Sequence, residues 1–201
     1  METRRQLIHI SGLLFVLLAQ TAGRTATVFY FFTIAATFLL YSEYARREKR
    51  RFSGLLGSME KQFREFITRF ERPDSARPFL GAFWFYVGCG LAFLFFPIAI
   101  ASAGCSMLAV GDAISTLVGK HLGRHMIIGE KTLEGSLSFL VSAFLISLLF
   151  VDVRLALVGS LAATAAELIP EVRRLKKIRK MGYLDDNLII PLLACLFMSH
   201  I

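Results

Sequence analysis

The sequence predicts an all-α fold: a polytopic helical membrane protein with about seven transmembrane helices and an amphipathic helix on its cytoplasmic surface. Three observations predict it. Hydrophobic residues make up 55% of the 201 residues, too large a share for a surface that faces water. Apolar runs that approach the roughly 20 helical residues of a bilayer span recur along the chain. Nearly all lysines and arginines lie at the N-terminus or in every second segment that connects these runs, which places them on one side of a membrane.

Seven apolar runs are separated by proline, glycine or charged residues, and each predicts one span. The spans lie near 7–22, 25–44, 79–96, 98–118, 133–151, 155–169 and 188–201. The first, sixth and seventh runs are short for a full crossing, so a tilted or partly re-entrant path stays open for them. Pro97 divides a longer run and predicts a tight hairpin between the third and fourth spans, because proline removes a helical hydrogen bond. We expect one membrane domain over residues 1–201.

The longest connecting segment predicts an amphipathic helix near 54–71. Its apolar residues recur at spacings of three and four, which places them on one side of a helix: Leu55, Leu56, Met59, Phe63, Phe66, Ile67 and Phe70. Charged residues lie largely on the other side. This pattern is typical of a helix that lies on the membrane surface. Such a helix either anchors the protein or forms a rim that guides a lipid into a site, and the sequence leaves both open.

The distribution of cations predicts the orientation. Of the 23 lysines and arginines, 21 lie at the N-terminus or in the loops 46–77, 119–131 and 171–180, whereas Arg24 and Arg154 lie in turns on the other side. Cytoplasmic loops carry such an excess, so the N-terminus and every long loop are predicted to be cytoplasmic, with the C-terminus outside. The net charge of +8 then reflects basic loops that face an anionic leaflet. No basic tract is interleaved with aromatic residues in a soluble segment, so we expect no nucleic acid partner.

The three cysteines, Cys89, Cys105 and Cys195, all lie inside apolar runs. They lack the paired spacing of a zinc site or of a disulfide framework. We therefore expect reduced thiols buried in the core.

Two carboxylates lie inside apolar spans, where each costs about 2.5–3.5 kcal/mol and needs a partner, water or a metal. They are Asp112, near the end of the fourth span, and Glu167, near the end of the sixth. Both spans run towards the cytoplasm in the predicted topology, so both carboxylates lie near that face. Further polar helix ends reach the same plane: Glu43, Glu134, Asp185, Asp186 and Asn187. Acidic helix ends of this kind suit Mg²⁺ together with phosphate oxygens.

The loop 119–132 offers what phosphates need. It contains the cations Lys120, Arg124 and Lys131, several glycines, and the free N–H groups at the start of the fifth span. Phosphate binding at the cytoplasmic face is the resulting hypothesis. Neither a Walker nor a Rossmann phosphate loop is present, and no serine hydrolase elbow is found.

Each of these residues also has a plainer explanation, which the sequence leaves open. The buried carboxylates can be hydrogen-bonded packing groups, and the loop cations can reflect the positive-inside bias alone. The histidines can be solvated loop residues or, in the first span, a helix contact: His121, His125 and His9.

Three segments resemble the core of the CTP-dependent polyprenol and lipid-alcohol kinases, a family that includes dolichol kinase, phytol kinase and the fungal CTP-dependent diacylglycerol kinase. They are Gly-Asp-Ala-Ile-Ser at 111–115, the glycine-containing basic segment at 119–125, and Gly-Glu-Lys-Thr-Leu-Glu-Gly-Ser at 129–136. The basic, histidine-containing start at 4–12 is similar to that of phytol-kinase-like members. Glu167 and the Asp-Asn-Leu-x-x-Pro segment at 186–191 resemble their closing segment. The resemblance spans nearly the whole chain.

The resemblance implies transfer of the γ-phosphate of CTP to the hydroxyl of a membrane lipid alcohol, with Mg²⁺ or a similar divalent cation. By motif position it implies that Asp112, Lys131 and Glu134 are catalytic, with Lys131 on the β- and γ-phosphates. We expect nucleotide and phosphate contacts from seven residues: Gly111, Lys120, Arg124, Gly129, Lys131, Gly135 and Asn187. We expect the metal ligands among four carboxylates: Asp112, Glu134, Glu167 and Asp186.

The expected acceptor is a polyprenol or dolichol, with phytol, geranylgeraniol or diacylglycerol as other members of the same substrate class. Two other functions stay open at this point. A CDP-lipid synthase would also use CTP but would transfer the cytidylyl group, and an ion-coupled transporter would use intramembrane carboxylates as a relay.

Overall fold

The computed structural model describes residues 2–47, 80–175 and 185–201, together with Ser58 and Gln62 as isolated helical positions. The helices are α1 (Glu2–Arg47), α2 (Leu80–Phe95), α3 (Ile98–Ser106), α4 (Asp112–Leu122), α5 (Leu133–Ser147), α6 (Val153–Leu175) and α7 (Asp186–Met198). Two short antiparallel strands, β1 (Met126–Ile128) and β2 (Lys131–Thr132), form the only sheet of the described residues. The fold is therefore helical as predicted, except for a hairpin where the sequence predicted a loop. The interfacial helix predicted near 54–71 lies outside the described residues, apart from Ser58 and Gln62.

Helix α1 is broken at Gly23, whose φ of 78° and ψ of 168° are not helical. Glycine tolerates this backbone conformation, which a residue with a Cβ rarely adopts. The next residue, Arg24, donates from Nε to the Phe93 carbonyl at 2.8 Å and from Nη2 to the Leu94 carbonyl. These carbonyls belong to the last turn of α2, which lacks helical partners for them. The break matches the predicted boundary between the first two spans.

The two arms of α1, before and after Gly23, fold back beside α2. In the first arm, a Cβ at Gly12 would collide with the Phe85 ring. In the second arm, the Phe38 ring stacks on Tyr86 with centroids 5.6 Å apart. Both arms thus reach the same level of α2, so they form an antiparallel helical hairpin.

Pro97 separates α2 from α3, as predicted, and α3 then continues as one helical stretch to Leu122. Within it, Met107–Gly111 is π-helical. Such π-bulges are rare and often occur at functional sites. This one directly precedes Asp112, the first residue of α4.

The last helix, α7, lies beside α2 and α3. A Cβ at Gly88 in α2 would collide with the Asn187 carbonyl near the start of α7. Near its other end, Cys195 Sγ donates to the Ile100 carbonyl of α3 at 3.4 Å. The three predicted core thiols are free and buried.

Counting the two arms of α1 separately, and α3 with α4 as one stretch, the described residues form seven helical segments. Three helical stretches are long and apolar enough to cross a membrane: Val16–Tyr44, Ile98–Leu122 and Val153–Pro170. The helices α2, α5 and α7 are apolar but shorter. The first stretch contains the Gly23 break, so its 29 residues are divided between the two arms of α1. These helices fit an integral membrane protein, whereas seven crossings and the orientation of the termini stay predictions.

Candidate active site

Polar side chains converge where the start of α4, strand β2 and the second half of α6 meet. Ser115 Oγ of α4 donates to Glu167 Oε1 of α6 at 2.9 Å. Lys131 Nζ of β2 donates to the same oxygen at 2.7 Å, which makes an ion pair. The Glu167 side chain is only 1% exposed and that of Lys131 is 23% exposed. A serine and a lysine thus hold one oxygen of a buried carboxylate.

Two more carboxylates act on this pair. Burial alone would lower the pKa of Lys131, but the adjoining Glu167 carboxylate, with smaller contributions from Asp112 and Asp186, raises it above its ordinary value. Lys131 therefore remains a cation at neutral pH. Asp112 is also buried and acts electrostatically on Glu167. We call these residues the Lys131 cluster: Asp112, Ser115, Lys131, Glu167 and Asp186.

The Lys131 cluster holds three carboxylates and one ammonium group, so its formal charge is negative. In addition, Glu167 Oε2 is buried without a hydrogen-bond partner among the described residues. A buried polar atom in this condition costs about 1–3 kcal/mol, and more when it is charged. Both observations fit a site that receives a cation or a hydrogen-bond donor.

The four predicted metal ligands do not meet at one point. Within the described ranges, no group of three or more His, Cys, Asp or Glu side chains could hold a metal ion. Mg²⁺ usually takes one or two protein carboxylates and completes its shell with substrate phosphates and water. The donors Asp112 and Glu167 Oε2 fit that smaller requirement, and the ligand set itself stays a prediction.

Glu134 lies in the first turn of α5 and has other partners. Its Oε1 lies 2.7 Å from His125 Nδ1. Its Oε2 accepts from the backbone N–H groups of Arg124 and His125, at 3.1 Å and 3.3 Å. The side chain thus closes the base of the β1–β2 hairpin, and its expected catalytic role stays untested.

The start of α7 is held by its own side chains. Asp185 Oδ1 accepts from the Asn187 backbone N–H at 3.0 Å and from the Asn187 side-chain amide at 2.8 Å. This is a helix N-cap, which explains why α7 begins at Asp186. Burial, followed by the neighbouring Asp186 carboxylate, raises the pKa of Asp185 to about 7. Asn187, a predicted nucleotide contact, is therefore engaged in capping.

The three glycines predicted to contact phosphate have local structural roles. Gly111 packs against the Phe139 ring, where a Cβ would collide. Gly129 has a φ of 54° in the turn of the hairpin, a conformation that favours glycine. Gly135 lies so close to Gly119 and to the Ser115 carbonyl that a Cβ would be crowded. Their contacts with a nucleotide remain a prediction.

The remaining predicted site residues lie in α1, in α4 and in the segment before β1. Lys120, Arg124 and His121 are exposed at the end of α4 and the start of the hairpin. Glu43 is half-buried in the second arm of α1. The side chain of His9 lies outside the described part of the chain.

Sequence reasoning gave no role to two residues that the structure brings into the site. Ser115 was part of a matching segment, and its spacing of three from Asp112 puts both on one face of α4, a usable signal. His125 was interpreted as a solvated loop residue, whereas its Nδ1 lies 2.7 Å from Glu134 Oε1.

The chain is 26% identical to an uncharacterised protein of Rickettsia prowazekii (strain Madrid E) over an alignment of 212 residues, which covers 97% of this chain and 92% of that protein. It is 31% identical to the dolichol kinase of Saccharomyces cerevisiae (strain ATCC 204508 / S288c) over 85 residues. That alignment covers 42% of this chain and 16% of the yeast enzyme. No protein-family profile matches the sequence. No solved structure matches it either.

Proposed function

We propose that this protein is a membrane phosphotransferase that moves the γ-phosphate of CTP to the hydroxyl of an isoprenoid alcohol of the dolichol or polyprenol type. The products are the lipid monophosphate and CDP. The observation that carries the proposal is the Lys131 cluster: a partly buried, formally negative group around one lysine in a bundle of apolar helices. The partial similarity to yeast dolichol kinase supports the same class of reaction.

Phosphoryl transfer requires positioning and neutralisation of charge more than covalent chemistry by the protein. Lys131 remains protonated beside Glu167, and an ammonium group has three donors, of which Glu167 uses one. The others are available to the β- and γ-phosphates of a nucleotide. Lys131 is therefore assigned to the phosphates.

In the proposed reaction, the oxygen of the lipid alcohol attacks the γ-phosphorus. The bond from that phosphorus to the β–γ bridging oxygen breaks, CDP leaves, and the hydroxyl proton passes to a carboxylate. We assign that role to Asp112 because it is buried in the first turn of α4 and acts electrostatically on both Lys131 and Glu167. Glu134 then contributes by holding the hairpin that carries Lys131.

A divalent cation such as Mg²⁺ would neutralise charge on the transferred phosphate. The Oε2 atom of Glu167, which has no hydrogen-bond partner among the described residues, is the atom that would hold it. The lipid alcohol would enter laterally between helices, with its hydroxyl at the cluster and its tail in the bilayer.

The direct test incubates purified protein with Mg²⁺, a long-chain polyprenol and either CTP or ATP, followed by chromatography of the lipid. We expect a polyprenyl monophosphate with CTP and much less with ATP. No phosphorylated lipid from either nucleotide would reject the proposal.

The matched variants are Asp112→Asn and Glu130→Gln. We expect Asp112→Asn to lower turnover by about two or more orders of magnitude, because the variant loses an electrostatic contact to the transition state. Glu130 is exposed in the turn of the same hairpin, so Glu130→Gln should stay near the wild-type rate. Full turnover in Asp112→Asn would place the site elsewhere.

A further inference from the structure

The β1–β2 hairpin and the helix ends beside it expose apolar side chains. Met126 is 64% exposed and Ile127 is 46% exposed. Leu122 at the end of α4 and Leu133 at the start of α5 are exposed as well. A contiguous group of exposed apolar side chains is unusual on a surface that faces water and indicates a surface that contacts a partner or a membrane.

The exposed strand of the hairpin, Met126–Ile128, is apolar throughout. Its pairing with β2 is irregular between Met126 and Ile128, so the regular alternation of side-chain directions does not apply there. Met126 and Ile127 are both exposed. A lipid layer surrounds a thin ribbon and covers exposed side chains on any side of it.

The apolar surface of the hairpin is continuous with an outward stripe on α5. The Leu133 N–H donates to the His125 carbonyl at 2.8 Å, which joins the hairpin to the first residue of α5. From Leu133, exposed apolar residues follow at every fourth position of the helix: Leu137, Val141 and Leu145. This spacing places them on one face, which in a membrane helix contacts lipid. The hairpin therefore lies where that lipid-facing stripe ends.

Cations border the same surface. Lys120 and Arg124 are exposed on either side of Leu122, with His121 and His125 next to them. A layer of basic side chains beside apolar ones is the composition that segments at an anionic membrane interface have. Two acids lie near these cations: Glu134 at the base of the hairpin is engaged with His125, and Glu130 is exposed in the turn of the hairpin.

We propose that the β1–β2 hairpin is seated in the headgroup layer of an anionic membrane. Met126 and Ile127 contact the upper acyl chains, and Lys120 and Arg124 contact lipid phosphates. The hairpin also carries Lys131, so the bilayer surface fixes the level of the Lys131 cluster. This inference goes beyond the proposed phosphotransfer and does not depend on it.

The test places a spin label at Met126→Cys and at Ile127→Cys in the full chain, reconstituted into vesicles of phosphatidylcholine and phosphatidylglycerol. The native cysteines are fully buried, so the new thiol is the one that reacts. Collision rates are measured with oxygen, which concentrates among acyl chains, and with a water-soluble nickel chelate. Val141→Cys serves as the lipid-facing control and a free water-soluble nitroxide as the aqueous one.

We expect the ratio of oxygen to nickel collision rates at both hairpin positions to approach that of Val141→Cys and to exceed that of the free nitroxide. We also expect this ratio to fall when phosphatidylcholine replaces the anionic lipid. Ratios equal to that of the free nitroxide would put the hairpin in water and overturn the proposal. Low collision rates with both reagents would mean that a second copy or another protein covers it, which would overturn it equally.

Discussion

At the residue scale, the sequence identified the charges of the site but not their pairing. Asp112 and Glu167 stand out because carboxylates are rare in apolar spans. Lys131 and Glu167 are 36 residues apart and lie on different elements, so no local pattern could predict that they touch. Glu134 shows another limit: its motif position suggested catalysis, which stays a prediction, but did not indicate that its contacts close a hairpin.

The ion pair makes a stability prediction. Lys131→Met leaves the buried Glu167 carboxylate without its cation, which should lower the free energy of unfolding by about 3 kcal/mol. The double variant Lys131→Met/Glu167→Gln has no uncompensated charge. Its loss of free energy of unfolding should therefore be smaller than the sum of the losses in the two single variants. Unfolding of the four proteins in mixed micelles measures this cycle.

Lys120→Met is the matched control, since Lys120 is exposed and should be replaceable with little loss. If the losses of the two single variants were simply additive, within about 0.5 kcal/mol, the two side chains would not interact as described.

At the element scale, breaks in the chain were easier to predict than the form of the loop between α4 and α5. Gly23 with Arg24, and Pro97, interrupt apolar runs, and the helices change direction at those places. The hairpin was not predicted because its strands have three and two residues, too few to show an alternating pattern of apolar and polar residues. The turn glycine Gly129 was interpreted as a phosphate contact instead.

Contact between α4 and α5 depends on Gly135. An added Cβ would lie 3.0 Å from Thr132 Oγ1, 3.1 Å from the Ser115 carbonyl oxygen and 3.3 Å from the Gly119 Cα. Gly135→Ala should therefore push the helices apart and lower the free energy of unfolding by about 1–3 kcal/mol. Thermal unfolding in detergent checks this.

Gly81→Ala gives the comparison. The nearest atom to a Cβ at Gly81 is 4.0 Å away, so this variant should be as stable as the wild type or slightly more stable. Equal stability of the two alanine variants would show that α4 and α5 do not approach as closely as described.

At the scale of the whole molecule, the sequence predicted a helical membrane protein, and the described helices agree with that class. Alternation of apolar runs and breaks suffices for it, because in a bilayer the helix satisfies its own backbone groups. The number of full crossings does not follow from the helices, since α2, α5 and α7 are shorter than a typical span. How the ends of separate helices combine into one site is a property of packing, which sequence spacing alone did not reveal.

The predicted orientation is open to a labelling experiment. Ser58→Cys should be protected from an impermeant thiol reagent in sealed cells and labelled after permeabilisation, because cation-rich loops face the cytoplasm. The buried native cysteines provide a low background. Labelling of Ser58→Cys in sealed cells would reverse the orientation and remove the cluster from cytosolic CTP.

The central claim, phosphoryl transfer from CTP to a lipid alcohol, is tested most directly by identifying the bond of CTP that breaks. One sample of CTP carries its label on the γ-phosphate and another carries it in the cytosine ring, and each is incubated with protein, Mg²⁺ and a polyprenol. We expect the γ-label to appear in the extracted lipid and the ring label to stay in water as CDP. Ring label in the lipid, or transfer that requires a phosphorylated lipid acceptor, would contradict the kinase assignment and indicate a cytidylyltransferase.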